Sequence, residues 1–174
     1  AMRFTAVYAA IRLRSETVAS LPKTVFSIDE TGRHDARKHN IYKLIKYKPN
    51  GWMNVFTFWE YTNSCLEGWG NAFVIIRRDM KGDPVELIPV HPRLVSVVFR
   101  NARKWYIVAG SLFFDGTYPD EDMLHFFGMS EDGITGVNPI IYNAAAISSG
   151  ISVKFFRWEK RWLGKGCILG GVTD

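Results

Sequence analysis

Between Trp105 and Val153 the chain has no lysine or arginine. That stretch carries only acidic charge, at Asp115, Asp120, Glu121, Asp122, Glu131 and Asp132. Cysteine is scarce: Cys65 and Cys167 stand far apart and match no zinc spacing, which excludes a disulfide framework and predicts two reduced, buried thiols in a cytosolic setting. No apolar run approaches the length of a membrane span, no N-terminal stretch reads as a signal peptide, and no Asn-x-Ser/Thr acceptor occurs. The four histidines, His34, His39, His91 and His125, have no second ligand at metal spacing. His91 lies between Pro89 and Pro92 and reads as a turn residue, and His125 reads as a hydrogen-bonded core histidine. There is no Walker loop, no Gly-x-Ser-x-Gly, no His-Glu-x-x-His, no internal repeat and no low-complexity segment. Gly164-Lys165-Gly166 follows a predicted helix and lacks the spacing of a phosphate loop. No metal, no cofactor and no enzyme activity is expected from such a set.

What is present is a large apolar store in a basic chain. Of 174 residues, 47% are hydrophobic and 14% aromatic, with a formal net charge of +5. This excludes a disordered chain and suffices for one sizeable core. The charge falls in blocks. A basic block at 33–48 holds Arg33, Arg37, Lys38, Lys43, Lys46 and Lys48; the acidic block follows; then Lys154, Arg157, Lys160, Arg161 and Lys165 come together. The Asp120-Glu121-Asp122 run reads either as a solvated loop or as a cation ligand set.

Hydrophobic periodicity predicts a helix over 4–20, with Val7, Ala10, Ile11, Val18 and Leu21 inward and Arg14 interrupting the face, closed by Pro22. A short β-run at 24–28 and a turn at 29–32 follow. A short helix over 41–47 turns Ile41, Leu44 and Ile45 inward, and Pro49-Asn50-Gly51 breaks it. The next helix, over 55–67, is capped by Asn54, with Thr57 and Glu60 as an alternative capping box. Its face is Val55, Phe58, Trp59, Thr62, Leu66 and Trp69, and Gly68 and Gly70 end it. Strands are predicted at 72–78 and 85–89 around a hairpin turn, then at 94–99, 105–108, 112–114 and 123–127. From Asn138 and Pro139 a long helix begins, with Ile141, Ala144, Ser148, Ile151, Phe155, Trp158 and Trp162 at alternating steps of 3 and 4. Over 138–163 it makes a rod of roughly 37 Å. Cys167-Ile168-Leu169 reads as one more strand, and a chain stopping there reads as part of a longer fold.

The fold class is therefore α+β: a mixed, mostly antiparallel, short-stranded body with a long protruding helix. The basic helix end has two readings. Cations near a helix C-terminus complement its dipole; alternatively Lys154, Arg157, Arg161 and Lys165 form a phosphate-facing patch.

Six ordered segments resemble the portal proteins of tailed bacteriophages, the head–tail connectors of the lambdoid siphovirus type. They are Ala6-Val7-Tyr8-Ala9-Ala10-Ile11-Arg12 with Val18-Ala19-Ser20-Leu21-Pro22; Pro49-Asn50 with Phe56-Thr57-Phe58-Trp59-Glu60; Gly70-Asn71-Ala72-Phe73 with Arg78-Asp79 and Gly82-Asp83-Pro84; Leu87-Ile88-Pro89-Val90-His91-Pro92; Leu124-His125-Phe126; and 130–140, from Ser130 to Ile140. No single segment is a strong motif; their order and spacing carry the likeness. Asn138 stands where the family more often has serine.

The resemblance implies a wing-like body at 1–137, a stem helix at 138–163, and the start of a clip region, truncated, at 164–174. It implies a non-enzymatic structural subunit of a ring of identical copies, usually twelve-fold, at one capsid vertex of the virion, assembled in the host cytoplasm and without a membrane role. Double-stranded DNA would pass through the ring non-specifically, and terminase, capsid or scaffold protein and head–tail adaptor proteins would be its partners. In that frame Lys154, Arg157, Arg161 and Lys165 are DNA-channel candidates. Lys43, Lys46, Asp120, Glu121, Asp122, Ile151, Phe155, Trp158 and Trp162 are subunit-interface candidates, with basic and acidic blocks meeting between neighbours. The competing reading is a nucleic-acid-binding α+β module with a basic aromatic helix, which would bind DNA as a monomer in a strongly salt-dependent way.

Overall fold

The structure, a computed structural model, describes residues 5–143 except Thr31 and Leu112. The part of the predicted long helix beyond Asn143, with Lys154, Arg157, Arg161, Lys165, Ile151, Phe155, Trp158 and Trp162, and the strand predicted at 167–169 lie outside the described residues.

Three layers form around the strand β3, Asn71–Arg78. Successive side chains of a strand point to opposite faces, and all four residues from Phe73 to Ile76 are apolar. β3 therefore feeds two cores at once. It pairs antiparallel with β4, Pro84–Val90, on one side and with β8, Met123–Phe127, on the other. Phe73 and Ile75, with Ile88, Val90 and Met123, pack against Tyr106 and Val108 of a second sheet. Val74 and Leu87 face the other way, onto Phe58 and Leu44 of two helices, with Trp59, Leu124 and Phe126 around them.

The helical layer follows from local sequence. In α3, Val55–Trp69, the Asn54 carboxamide accepts the Thr57 N–H at 2.8 Å and so caps the start. Gly70, at φ 74°, ends it, with its N–H on the Leu66 carbonyl. Gly68, read as part of the stop, lies inside the helix and is buried there. α1, Thr5–Ser20, packs along α3. Its buried line is Val7, Ile11, Ser15 and Ala19, a strict i, i+4 ridge. Val18 and Leu21, expected inward, are exposed. Arg14 does not interrupt the face, because it points out to Glu67 at 3.0 Å. α2, Asn40–Lys46, buries Leu44 as expected, but its second anchor is Tyr42; Ile41 and Ile45 are only half-buried.

The second sheet has the order β5-β6-β7, antiparallel throughout, from Val95–Arg100, Arg103–Val108 and Gly116–Pro119. The strand predicted at 112–114 is corrected: Phe113 and Phe114 belong to a loop, and the pairing begins at Gly116 opposite Val108. The cause is the Asp115 carboxylate, which accepts the N–H groups of Gly110 at 3.1 Å and Ser111 at 2.6 Å. Those bonds draw the chain into a turn before a ladder can form. A separate hairpin, β1, Phe26–Asp29, with β2, Gly32–Asp35, stands apart. Its second strand is exposed at every residue and carries no apolar alternation, so the pattern gave no sign of it. After β8 the chain turns through 130–136 into α4, Pro139–Tyr142.

Candidate functional site

Two features of the body stand out. One is the junction where the chain leaves the sheet for α4. The other is the pair of oppositely charged surfaces.

At the junction two backbones touch. A methyl group added at Gly70 would fall on the Val137 carbonyl, and one at Gly136 would fall on the Gly70 carbonyl. The Gly70 oxygen also accepts the Gly128 N–H at 2.9 Å, and Val137 N–H bonds the Met129 carbonyl at 2.8 Å. Asn71 closes the joint with its side chain acting as a second backbone. Its Nδ2 donates to the Gly136 carbonyl at 2.7 Å and its Oδ1 accepts the Gly136 N–H at 2.8 Å. His125 Nε2 lies 3.0 Å from the same Oδ1. That oxygen already faces an N–H and can only accept, so Nε2 carries a proton, and the neutral form of the ring is the Nε2–H tautomer. The ring stacks on Phe73, and Tyr106 Oη lies 3.5 Å from its Nδ1 while bonding Asp120 Oδ1 at 3.1 Å. The loop before α4 is held by Asp132, whose carboxylate takes the N–H groups of Ile134 and Thr135 at 2.7 and 2.8 Å. Those bonds hold its carboxyl well below the usual range.

Burial pushes the His125 imidazole down to about 4, with Lys104 adding to the shift and Asp120 opposing it. A free imidazole titrates near 6.5. Between those values the unfolded chain binds a proton that the folded chain excludes. The stabilisation from the neutral ring is complete above about pH 6.5 and is lost as pH falls through about 4. The melting temperature is expected to fall across this window, and His125→Asn is expected to flatten that fall. Identical pH profiles for the two proteins would show that His125 is not the titrating group.

The charged blocks are less free than their sequence suggests. Arg78 grips the acidic turn Asp120–Asp122, with Nε on Asp122 at 2.8 Å and Nη2 on the Glu121 carbonyl at 2.9 Å. Asp120 accepts from Tyr106, and Glu121 stands 3.9 Å from Arg103. Among the described residues no group of three His, Cys, Asp or Glu is placed to hold a metal. In the basic block, Arg33 stacks on Phe26 at 3.6 Å and Arg37 pairs with Asp35 at 3.1 Å. Lys46 donates to Tyr42 Oη at 2.7 Å. Lys43 is exposed, on a cleft of about 580 Å³.

Sequence reasoning missed Asn71, Gly136 and Asn50 as positioning residues. Asn50 is buried; its Nδ2 donates to the Leu87 carbonyl at 2.9 Å while its Oδ1 accepts the N–H groups of Trp52 and Met53 at 3.2 and 2.8 Å. The Leu87 N–H goes to the Pro49 carbonyl at 2.8 Å, so the Pro49-Asn50 pair closes the outer edge of β4. An asparagine between a proline and a glycine was the available signal, and it reads equally well as a simple turn.

A family model described as phage portal protein matches residues 5–174. The chain belongs to the phage portal protein family. It is 26% identical over 173 residues to the portal protein of Enterobacteria phage HK97, covering 95% of this chain and 39% of that protein. It is 33% identical over 105 residues to protein BeeE of Escherichia coli (strain K12), covering 60% of this chain and 66% of that one. The probable portal protein of Streptomyces phage phiC31 is 29% identical over 187 residues, covering 100% of this chain and 39% of that protein. The chain thus spans about two fifths of the two portal relatives. Among solved structures, a chain from the neck of an empty gene transfer agent particle, computed with C6 symmetry, superposes with a TM-score of 0.69 at 18% identity, covering 97% of this chain and 46% of that one. The described body is α+β with short antiparallel sheets, and it shares the fold of that neck chain. No helix among the described residues is long and apolar enough to cross a membrane.

Proposed function

We propose that this chain is the body and stem-entry portion of a structural portal subunit, which assembles with identical copies into a ring at one capsid vertex. The observation that carries this reading is the family match along residues 5–174, joined to a fold that superposes on a chain from the neck of a gene transfer agent particle. In this reading residues 1–137 are the wing-like body, 138–163 the stem helix and 164–174 the start of the clip. Double-stranded DNA passes through the ring during packaging and ejection, and terminase, capsid or scaffold protein and head–tail adaptors dock around it. Lys154, Arg157, Arg161 and Lys165 are the residues that would meet DNA phosphates, weakly and without base reading. The junction suits such a role. The Gly70–Asn71–Gly136 contact holds the segment before Pro139 on the sheet.

The test is the complete chain in solution. Negative-stain images and native mass spectrometry are expected to show closed rings with a central hole; a monomer that binds DNA with a steep salt dependence would favour the nucleic-acid module instead. Charge reversal probes the subunit contact. Lys43→Glu is expected to shift the sedimentation profile toward free subunits, most strongly at low salt. Lys46→Glu should add to this, at an extra folding cost from its bond to Tyr42. Full rings in the double variant would exclude the basic block from the joint.

A further inference from the structure

A sheet edge is a row of unpaired N–H and C=O groups, and proteins blunt it with proline, charge or a covering segment. β4 is closed in this way by Pro49 and Asn50, and β7 is short and ends at Pro119. β5 has no such guard. It lies at the margin of its sheet, with β6 on one side only. Its residues, Val95 to Arg100, include no proline and no charge before Arg100. The Leu94 carbonyl accepts the Ala109 N–H at 2.9 Å. Those opposite residues are therefore a hydrogen-bonded pair, and such pairs recur at every second residue of an antiparallel ladder. Ser96, Val98 and Arg100 bond β6, while Val95, Val97 and Phe99 turn their backbone groups outward. The Val95 N–H goes to the Pro92 carbonyl. Among the described residues no hydrogen bond reaches the outward groups of Val97 and Phe99. The side chains along this edge are poorly covered as well. Phe99 is 57% exposed. A recess of about 310 Å³ opens beside Val95 and Val97, walled by Trp69, Phe73 and Pro92 and lined by no charged side chain.

The β1–β2 hairpin has the complementary deficiency. Two strands alone are marginal in water, and a third gives such a unit independent stability. The hairpin pairs with neither of the larger sheets. The Ala36 N–H meets the Val25 carbonyl at 2.8 Å. By the same alternation Ser27 and Asp29 bond β2, and Phe26 and Ile28 present their N–H and C=O groups on the free side of β1. On β2 the outward residues are Arg33 and Asp35, whose charges blunt that edge. β1 thus offers Phe26 and Ile28, two positions apart, and β5 offers Val97 and Phe99 at the same spacing. Phe26, like Phe99, is an exposed ring.

We propose that β1 of one copy adds antiparallel to the free edge of β5 in the next copy, with Ile28 opposite Val97, Ser27 opposite Val98 and Phe26 opposite Phe99. The N–H and C=O groups of the two outward pairs then bond one another. Strands β7, β6, β5, β1 and β2 form one continuous sheet across the joint. Phe26 and Phe99 meet as a cross-strand aromatic pair. A second copy is the occupant because every chain carries both the bare strand and the bare edge. The two share no residue, so the contact runs head to tail and can repeat around a closed ring. The inference rests on the ring reading above and names the surfaces that make the joint.

Cysteine crosslinking of the complete chain tests it, in a Cys167→Ser background that leaves only the buried Cys65. In the joint Ser27 and Val98 are a non-hydrogen-bonded pair, with Cα atoms about 4.5 Å apart, a separation that a disulfide spans. Chains carrying Ser27→Cys, mixed with chains carrying Val98→Cys, are expected to give a disulfide-linked pair on mild oxidation, and neither chain alone should do so. Phe99→Ser is expected to weaken ring assembly about tenfold, with circular dichroism unchanged because the ring is exposed. Rings that form without the mixed disulfide, or full rings in Phe99→Ser, would overturn this contact and leave the ring reading intact. Absence of rings in the unsubstituted chain would overturn both.

Discussion

Gly70→Ala is expected to lower the stability of the body by about 2–5 kcal/mol and to loosen the entry to α4. Two costs add. At φ 74° a side chain sits in the left-handed region, a penalty of about 1–2 kcal/mol. The added methyl also collides with the Val137 carbonyl, a backbone atom that cannot rotate away, and overpacking of this kind costs about 1–3 kcal/mol. The strain can be relieved only if residues 136–138 move off the sheet, and Asn71 would then lose both bonds to Gly136. Thermal or urea unfolding measures the total. Hydrogen exchange separates its parts: the Gly136 and Val137 amides should lose protection well before those of β3. A variant that unfolds at the wild-type midpoint, with both amides still protected, would show that the junction has slack. Gly136→Ala approaches the same contact from the opposite side, toward the Gly70 carbonyl and the Gly128 nitrogen, and should reproduce the phenotype without the φ penalty.

The second large effect is expected at Asn50. Asn50→Ala removes three hydrogen bonds in a buried setting and leaves the Leu87 carbonyl and the Met53 N–H without partners. Each unsatisfied buried group costs about 1–3 kcal/mol, so a loss of about 2–6 kcal/mol is expected. Asn50→Asp makes a sharper control. It keeps the acceptor for Trp52 and Met53 but turns a carboxylate oxygen toward the Leu87 carbonyl. That variant should gain stability as pH falls and its carboxyl takes up a proton. If both variants melt with the wild type, the edge of β4 is closed by Pro49 alone.

How much of this was legible beforehand depends on the range of the interaction. α3 could be read from its own residues, because its cap, its apolar spacing and its glycine stop all lie within sixteen residues of one another. β3 and β4 were legible for the same reason: an apolar run on each side of a short turn pairs with little loop entropy. Misreadings came where a side chain competed with the local pattern. Phe113 and Phe114 look like a strand until Asp115 takes the amides of Gly110 and Ser111. The face of α1 was read correctly at Val7 and Ile11 but drifted off after them, to Val18 and Leu21, because its ridge continues through Ser15, a residue that hydrophobic counting leaves out.

The charged blocks teach a related lesson. Reading 33–48 and 115–132 as two free faces treated charge as a property of segments. In the fold, Asp122 and Asp120 are engaged by Arg78 and Tyr106, from strands 44 and 14 residues away in the chain, so the net charge each segment offers a partner is smaller than its count. Lys43 keeps its exposure because α2 buries its other side through Tyr42 and Leu44. That is a consequence of helical phase and could have been counted from sequence.

By itself the sequence determined the α+β class, the order of most elements, the caps of α3 and the family, since these rest on local periodicity and on the order of short segments. Only the tertiary structure decided that β3 serves two cores, that Asn71 meets Gly136 and His125 across 65 and 54 residues of chain, and that Gly70 is required for the approach of a second backbone as well as for a helix stop. The physical reason is the same in each case. A hydrogen bond or a steric contact between distant residues leaves no period in the sequence, because it depends on where the sheet brings the two strands and not on what lies beside either residue.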